Sequence, residues 1–285
     1  MAQRNECSHT NRIKPSICRW EINMNNRRNF LKGTLATTGA GAFASCQSQL
    51  LSSSKETSTY KGYNYQLPKF TKGTRLLFQG DSITDMKWGR NEKDRNHYLG
   101  HSYVFLIASR LGVDMPEAQL EFFNRGMSGH RVQDLKQRWQ KDALDMKPDL
   151  LSILVGVNDI VKSTGAPIDM KKWESDYRYL LESSLKQNSN MKIVLLNPFV
   201  LPTGRFVNDP QSLHRFKTYI DKMGAIVGAL ANEYQTTHIK TQEIFTKASE
   251  QAGAENWIWD GVHPLPQGHE LIARNWIAEV AKTLN

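Results

Sequence analysis

From Tyr65 onward, short apolar runs alternate with stretches whose apolar residues recur at helical spacing. Five runs predict strands: Arg75–Phe78, Leu120–Phe123, Leu150–Val155, Ile193–Asn197 and a weaker one at Thr237–Lys240. Between them Val132, Leu135 and Trp139 fall on one helical face. Leu213, Phe216, Ile220, Met223, Val227 and Leu230 fall on another. Strands that are apolar nearly throughout must be covered on both faces, which is what helices joining parallel strands do. The pattern therefore predicts one domain over residues 65–285, a three-layer α/β/α sandwich around a parallel five-stranded sheet. Ligands of such sheets bind beyond the carboxyl ends of the strands, so the loops that follow strands should carry the chemistry.

The first 64 residues break this pattern. Arg27-Arg28-Asn29-Phe30-Leu31-Lys32 precedes a mildly apolar run of Gly, Ala and Thr, and Ala44-Ser45-Cys46 closes it. A charged start, a weakly apolar middle and a small-residue end predict an export signal over residues 1–46. The hexapeptide resembles the twin-arginine signal of bacteria, and Phe43-Ala44-Ser45-Cys46 resembles a lipoprotein processing site. On the second resemblance Cys46 would carry a lipid and anchor the mature chain to a membrane. The alternative is a general secretion signal with a chance arginine pair. Met24 lies just before that pair and is an alternative start. Residues 47–64, rich in Ser and Thr, read as a flexible tether. Gly39-Ala40-Gly41-Ala42-Phe43-Ala44 matches a dinucleotide-binding fingerprint in letters only, because no strand precedes it.

Charge and cysteines follow the same division. The chain carries a formal +9, but seven basic side chains lie in residues 1–46 against Glu6 and Glu21, which leaves 30 basic and 26 acidic residues for the rest. No basic block with interleaved aromatics remains there, which argues against a nucleic-acid partner. No protein partner is indicated. Cys7, Cys18 and Cys46 are the three cysteines, so the domain has no disulfide, thiolate metal site or thiol nucleophile. Even Leu150–Val157 is strand-sized, far short of a membrane span.

Four loops then stand out. Gly80-Asp81-Ser82-Ile83-Thr84-Asp85 places a serine between a strand end and a helix start, where backbone N–H groups face whatever it attacks. Asn124-Arg125-Gly126-Met127-Ser128-Gly129 has two glycines that let the backbone approach a ligand. Gly156-Val157-Asn158-Asp159 follows the most apolar strand and offers the Asn158 amide as a donor. In Asp260-Gly261-Val262-His263 the three-residue spacing lets a carboxylate hold the imidazole Nδ1 proton while Nε2 faces a nucleophile. Singly, these are an N-cap, a turn, an Asx turn and a structural histidine; at four successive strand ends the coincidence is hard to sustain.

In those four blocks the chain resembles the SGNH, or GDSL-type, hydrolase superfamily. The resemblance spans almost the whole domain in family order and implies the flavodoxin-like fold of that superfamily. It also implies Ser82 as nucleophile, His263 as general base and Asp260 as the group orienting His263. The oxyanion hole would combine the Ser82 and Gly129 N–H groups with the Asn158 side chain, Gly129 matching the family glycine better than Gly126. No cofactor is implied. No metal is either: His269-Glu270 lacks the second histidine of a zinc-protease helix, that place being Ala273.

The superfamily's esters range from lipids and thioesters to O-acetylated carbohydrates. Trp257 and Trp259 stand just before Asp260, and Trp88, Arg90, His97 and Tyr98 follow the serine in a polar loop. Aromatic faces beside hydrogen-bonding side chains suit a sugar ring, which points to Trp88, Arg90, Trp257 and Trp259 as substrate-binding residues. The alternative is that these tryptophans pack the domain. The stretch from Phe78 to Asp85 with Asn124-Arg125-Gly126 is similar to exported bacterial esterases that deacetylate xylan or pectin. An acylated carbohydrate is thus the expected substrate. A lipid or thioester acylhydrolase and a non-catalytic carbohydrate-binding domain are the alternatives.

Overall fold

The computed structural model describes residues 66–285; the export segment, the tether and Tyr65 lie outside the described residues. The chain builds β1 (Arg75–Gly80), α1 (Ser82–Asp85), α2 (Tyr103–Asp114), β2 (Glu121–Gly126), α3 (Val132–Trp139), β3 (Leu150–Leu154) and α4 (Val157–Lys162). It continues through α5 (Met170–Gln187), β4 (Lys192–Leu196), α6 (Pro210–Glu233), β5 (Thr237–Ile239), α7 (Thr241–Ala252) and α8 (Pro266–Leu284). All five predicted strands are present and every pairing is parallel, in the order β2-β1-β3-β4-β5.

The central strands β1, β3 and β4 bury both faces, while the edge strands β2 and β5 leave one face partly open. On one side Phe78 lies 6.1 Å from the Tyr103 ring of α2 and 5.5 Å from Trp276 of α8. The Trp276 indole donates to Ser152 Oγ on β3 at 3.0 Å, which satisfies both polar groups inside the core. On the other side Trp139 of α3 is fully buried and donates to Ser184 of α5 at 3.1 Å, while Gln79 Nε2 donates to the Asp142 carbonyl at 2.5 Å. The predicted helical faces behave accordingly: Val132, Leu135 and Trp139 are buried on α3, and Phe216, Ile220, Met223, Val227 and Leu230 on α6, with Leu213 only half-buried. No helix among the described residues is long and apolar enough to cross a membrane.

The topology fixes where a ligand can sit. From β1 the chain moves outward to β2, then crosses back over β1 to β3. The loops leaving β1 and β3 therefore diverge and open a crevice between them. Ser82 follows β1 and Asn158 follows β3, one on each side of it.

Strand ends differ from the expectation in one informative way. The glycine blocks read as turns are partly strand: β1 and β2 run on to Gly80 and Gly126, which pair with each other. The Ser82 turn folds back so closely over this end that a Cβ on Gly126 would lie 2.3 Å from the Asp85 backbone nitrogen. Neither partner is a flexible side chain, so the strand end must be glycine. We expect Gly126→Ala to lower unfolding free energy by about 3 kcal/mol, the upper range for overpacking, read from urea denaturation followed by circular dichroism. A midpoint unchanged from wild type would refute this account of the strand end.

Candidate active site

Ser82 occupies the first position of α1, a single turn that begins where β1 stops. Asp81 caps it, accepting the Ile83 N–H at 3.0 Å. The Ser82 N–H, as a first-turn amide, bonds to nothing among the described residues. Opposite it, residues 257–265 form a narrow loop closed by an Ile258–Pro264 bridge, a Leu265 N–H to Trp257 carbonyl bond of 2.8 Å and a Trp259 N–H to His263 carbonyl bond of 3.3 Å. Asp260 and His263 project from its tip.

These segments meet directly. Ser82 Oγ lies 2.7 Å from His263 Nε2, and His263 Nδ1 lies 2.6 Å from Asp260 Oδ2. The second Asp260 oxygen accepts the backbone N–H groups of Val262 at 3.0 Å and His263 at 2.8 Å, so the carboxylate is aimed by its own loop. Burial works against the Asp260 charge, but these hydrogen bonds, that from the imidazole first, bring its pKa down to about 2. The bond to Asp260 raises the pKa of His263 above the ordinary 6.5, against the effect of burial. A charged carboxylate on Nδ1 leaves Nε2 free to accept the serine proton and stabilises the imidazolium that results.

Gly129 and Asn158 are tied to the same crevice. Met127 N–H donates to the Gly80 carbonyl at 3.0 Å, and Asp85 accepts from Ser128 N–H at 2.9 Å and Ser128 Oγ at 2.7 Å. The Gly129 N–H has no partner among the described residues. Asn158 Nδ2 donates to the His130 carbonyl at 3.3 Å and stands beside Asp81. The Ser82 and Gly129 amides are thus without a partner among the described residues, and the Asn158 amide stands on the far strand end of the crevice. Among the described residues no three His, Cys, Asp or Glu side chains stand close enough to share a metal ion.

Two residues matter that the motifs left without a role. Asn124 is fully buried; its Nδ2 donates to the Thr84 and Leu99 carbonyls at 2.8 and 2.9 Å, and its Oδ1 accepts the Gly126 N–H at 2.8 Å. Asp85 is 2% exposed, and burial opposes its charge, yet the bonds from Arg90 and Ser128 hold its pKa below the usual range. Both stood inside the recognised blocks, but the partners of each lie up to about 40 residues away.

The expected sugar platform is only partly there. Trp259, next to Asp260, is 63% exposed, whereas Trp257 is half-buried, packs against the core and buries its indole Nε1 without a partner. Trp88 does not present a face: it is 8% exposed, its Nε1 donates to the Gly126 carbonyl at 2.9 Å, and the Arg90 and Arg125 guanidiniums lie 4.6 and 4.9 Å from its ring centre. An indole already carrying two cations and a backbone bond packs the floor of the loop. Arg90 is half-exposed, but it is held to Asp85 at 2.7 Å.

A parallel five-stranded sheet of this order, with a serine, a histidine and an aspartate together at its switch point, is the architecture of the SGNH-type hydrolases. Residues 78–271 match the model of the GDSL-like lipase/acylhydrolase family, and the chain belongs to that family; it is a carboxylic ester hydrolase. The acetylxylan esterase of Geobacillus stearothermophilus is 31% identical over 217 residues, covering 74% of this chain and 96% of that protein. Its crystal structure gives a TM-score of 0.62 at 32% identity over 74% of this chain and 96% of its own. Other structures of that esterase carry an aspartate, a serine or a histidine replaced by alanine and are described as catalytic mutants; its aspartate and histidine are three positions apart. A GDSL-like lipase of Parabacteroides merdae gives a TM-score of 0.69 at 33% identity, covering 75% of this chain and 99% of that one. Residues 24–44 match the twin-arginine translocation signal, and the protein is exported.

The pairing of His263 with Asp260 has a measurable consequence. Because the folded imidazole pKa lies above 6.5, its contribution to stability is complete below pH 6.5 and is lost as pH rises through the folded value. The Asp260 contribution is present above the ordinary carboxylate range and is lost as pH falls towards about 2. We expect Asp260→Asn to lower the His263 pKa, measured by NMR titration of the imidazole. A pKa that stays at the wild-type value would show that Asp260 does not set it.

Proposed function

We propose that the protein is a serine esterase that removes acetyl groups from an acylated polysaccharide or oligosaccharide. The observation that carries this reading is the hydrogen-bonded line from Ser82 through His263 to Asp260, of 2.7 and 2.6 Å. The three catalytic mutants of the Geobacillus acetylxylan esterase, in the same residue types with the same Asp–His spacing, support it.

On this reading Ser82 Oγ attacks the ester carbonyl as His263 Nε2 takes its proton. The resulting oxyanion is held by the Ser82 and Gly129 N–H groups and the Asn158 amide. His263 then returns the proton to the leaving alcohol, which departs and leaves acyl-Ser82. Water, activated by the same imidazole, releases the acid. Asp260 stays charged throughout and stabilises the imidazolium. Trp257 and Trp259 border the leaving sugar; a polar, exposed mouth suits it better than a long acyl chain, which would desolvate Arg90 without replacing its bonds to water.

The test compares rates on p-nitrophenyl acetate and octanoate with acetate release from acetylated xylan and pectin. We expect acetate to be the better ester and at least one polysaccharide to release acetic acid, with Ser82→Ala losing roughly 10⁴-fold in kcat on every substrate. Faster octanoate cleavage with no acetate from either polymer would move the enzyme to the lipid class. Full activity of Ser82→Ala would place the chemistry elsewhere.

Outside the described residues we propose an export signal over 1–46, a tether over 47–64 and a lipid on Cys46 that holds the enzyme at the envelope. In a bacterial host Cys46→Ser should move the enzyme from the membrane fraction to the soluble one. Equal fractionation of both forms would refute the anchor.

A further inference from the structure

A groove of about 310 Å³ lies between α4 and the segment that packs on the Asp260 loop, and is given no role by the mechanism above. One wall is α4, the helix that begins next to Asn158, through Ile160 and Val161. The other is the turn Gly204–Phe206, with Arg205 and Phe206, and the start of α6, with Asp209 and Arg215. This turn is pressed against the catalytic loop: Gly204 has φ +53, and a Cβ there would lie 2.4 Å from Asp260 Cα. Phe206 is wedged under Gly261 in the same way. Ser82, Asn158, Asp260 and His263 do not line the groove themselves, but its two walls belong to the segment that packs on Asp260 and to the helix that carries Asn158.

Its charges are unequal in kind. Arg215 is committed to the protein, donating to the Ile160 and Ala166 carbonyls at 3.4 and 2.9 Å and to Ser163 Oγ at 2.5 Å. Asp209 is committed too, capping α6 by accepting the Ser212 N–H at 2.9 Å. Arg205 is exposed and forms no hydrogen bond or ion pair among the described residues. Its guanidinium is nevertheless positioned, 4.9 and 5.2 Å from the ring centres of Phe206 and Phe216, which are buried and stacked edge-on. It is close enough to His263 to weigh against protonation of that imidazole. By contrast Lys162, on the far side of Asn158, already faces Asp134 at 3.8 Å.

An exposed guanidinium that lies over aromatic rings, has no hydrogen bond or ion pair among the described residues and acts on the charge of His263 is suited to a carboxylate, which it can grip with two parallel N–H bonds. We propose that this groove is a subsite for a carboxylate-bearing sugar next to the acetylated one, with Arg205 as the residue that selects it. The inference rests on the reading of the enzyme as a carbohydrate acetylesterase and names the substrate class within it: acetylated polymers that carry uronate units. The groove, at the lower end of ligand-site volumes, has room for a single sugar unit.

The experiment measures acetate release, as kcat/KM, from acetylated xylo-oligosaccharides with and without a glucuronate branch and from acetylated oligogalacturonate, with p-nitrophenyl acetate as a reference ester. The wild-type enzyme should prefer at least one uronate-bearing substrate about 10-fold over the neutral one, and the preference should shrink as salt rises. In Arg205→Gln the ratio of uronate-bearing to neutral rates should fall about 10-fold, and Arg205→Lys should restore part of it. Asp209→Asn, which keeps a capping side chain, should raise the same ratio by removing the opposing charge. An unchanged ratio in Arg205→Gln, or no wild-type preference, overturns the subsite while leaving the acetylesterase reading intact. Cleavage of p-nitrophenyl acetate without acetate from any saccharide overturns the carbohydrate reading itself, and the subsite with it.

Discussion

The turn that carries Ser82 hangs on one buried amide. Asn124 joins three segments far apart in sequence: the end of α1 through the Thr84 carbonyl, the chain ahead of α2 through the Leu99 carbonyl, and the end of β2 through the Gly126 N–H. Each of these groups would cost about 1–3 kcal/mol if left buried and unpaired. The segments therefore have one arrangement that satisfies all of them, and the site inherits it. With Gly126 drawn against Asp85, that carboxylate reaches Ser128, the residue before Gly129.

The same economy governs the charges beside the imidazole. Asp260 and Asp81 both act on His263, but the protein treats them in opposite ways. Asp260, part-exposed and bonded by two backbone amides and an imidazole, is held near 2 and stays charged at any working pH. Asp81 is wholly buried and receives one backbone amide on Oδ1, so burial lifts it to about 6. The carboxylate bonded to Nδ1 is thus the permanent one. The carboxylate under the nucleophile turn is the one whose charge responds to conditions, and Asn158 stands beside it.

Much of this was legible in the chain because burial on two faces leaves a plain signal. The strands were found with the starts of β1, β3 and β5 as expected and the other ends shifted by one to three residues. Ser82, Asp260 and His263 were legible because each follows a strand or opens the last helix, where the fold class places ligands. Asn124 was not, since its partners are backbone groups of distant segments, and nor was Asp85, whose bonds to Arg90 and to Ser128 of another loop no local pattern encodes. Trp88 misled for a related reason. An aromatic residue in a charged loop looks the same whether cations crowd its ring or a ligand does, and only the approach of Arg90 and Arg125 separates the two.

That difference between occupied and unoccupied cations also bears on how such a site recognises a polymer. A polysaccharide chain cannot enter an enclosed cavity, so an enzyme acting on one must discriminate at an open rim, where exposed ion pairs contribute little, about 0–1 kcal/mol. Arg205 escapes part of that penalty. Stacked over Phe206 and Phe216, its guanidinium has lost water on one face and some rotamer freedom before any ligand arrives. Arg90 and Arg215 have equal charge but have already exchanged that advantage for Asp85 and for backbone carbonyls. Selectivity at an open site then depends less on how many cations surround it than on which one is preorganised and unsatisfied. Here that cation sits one residue from the glycine that packs on Asp260, so under the proposed subsite a carboxylate bound to it would be held close to the reacting ester.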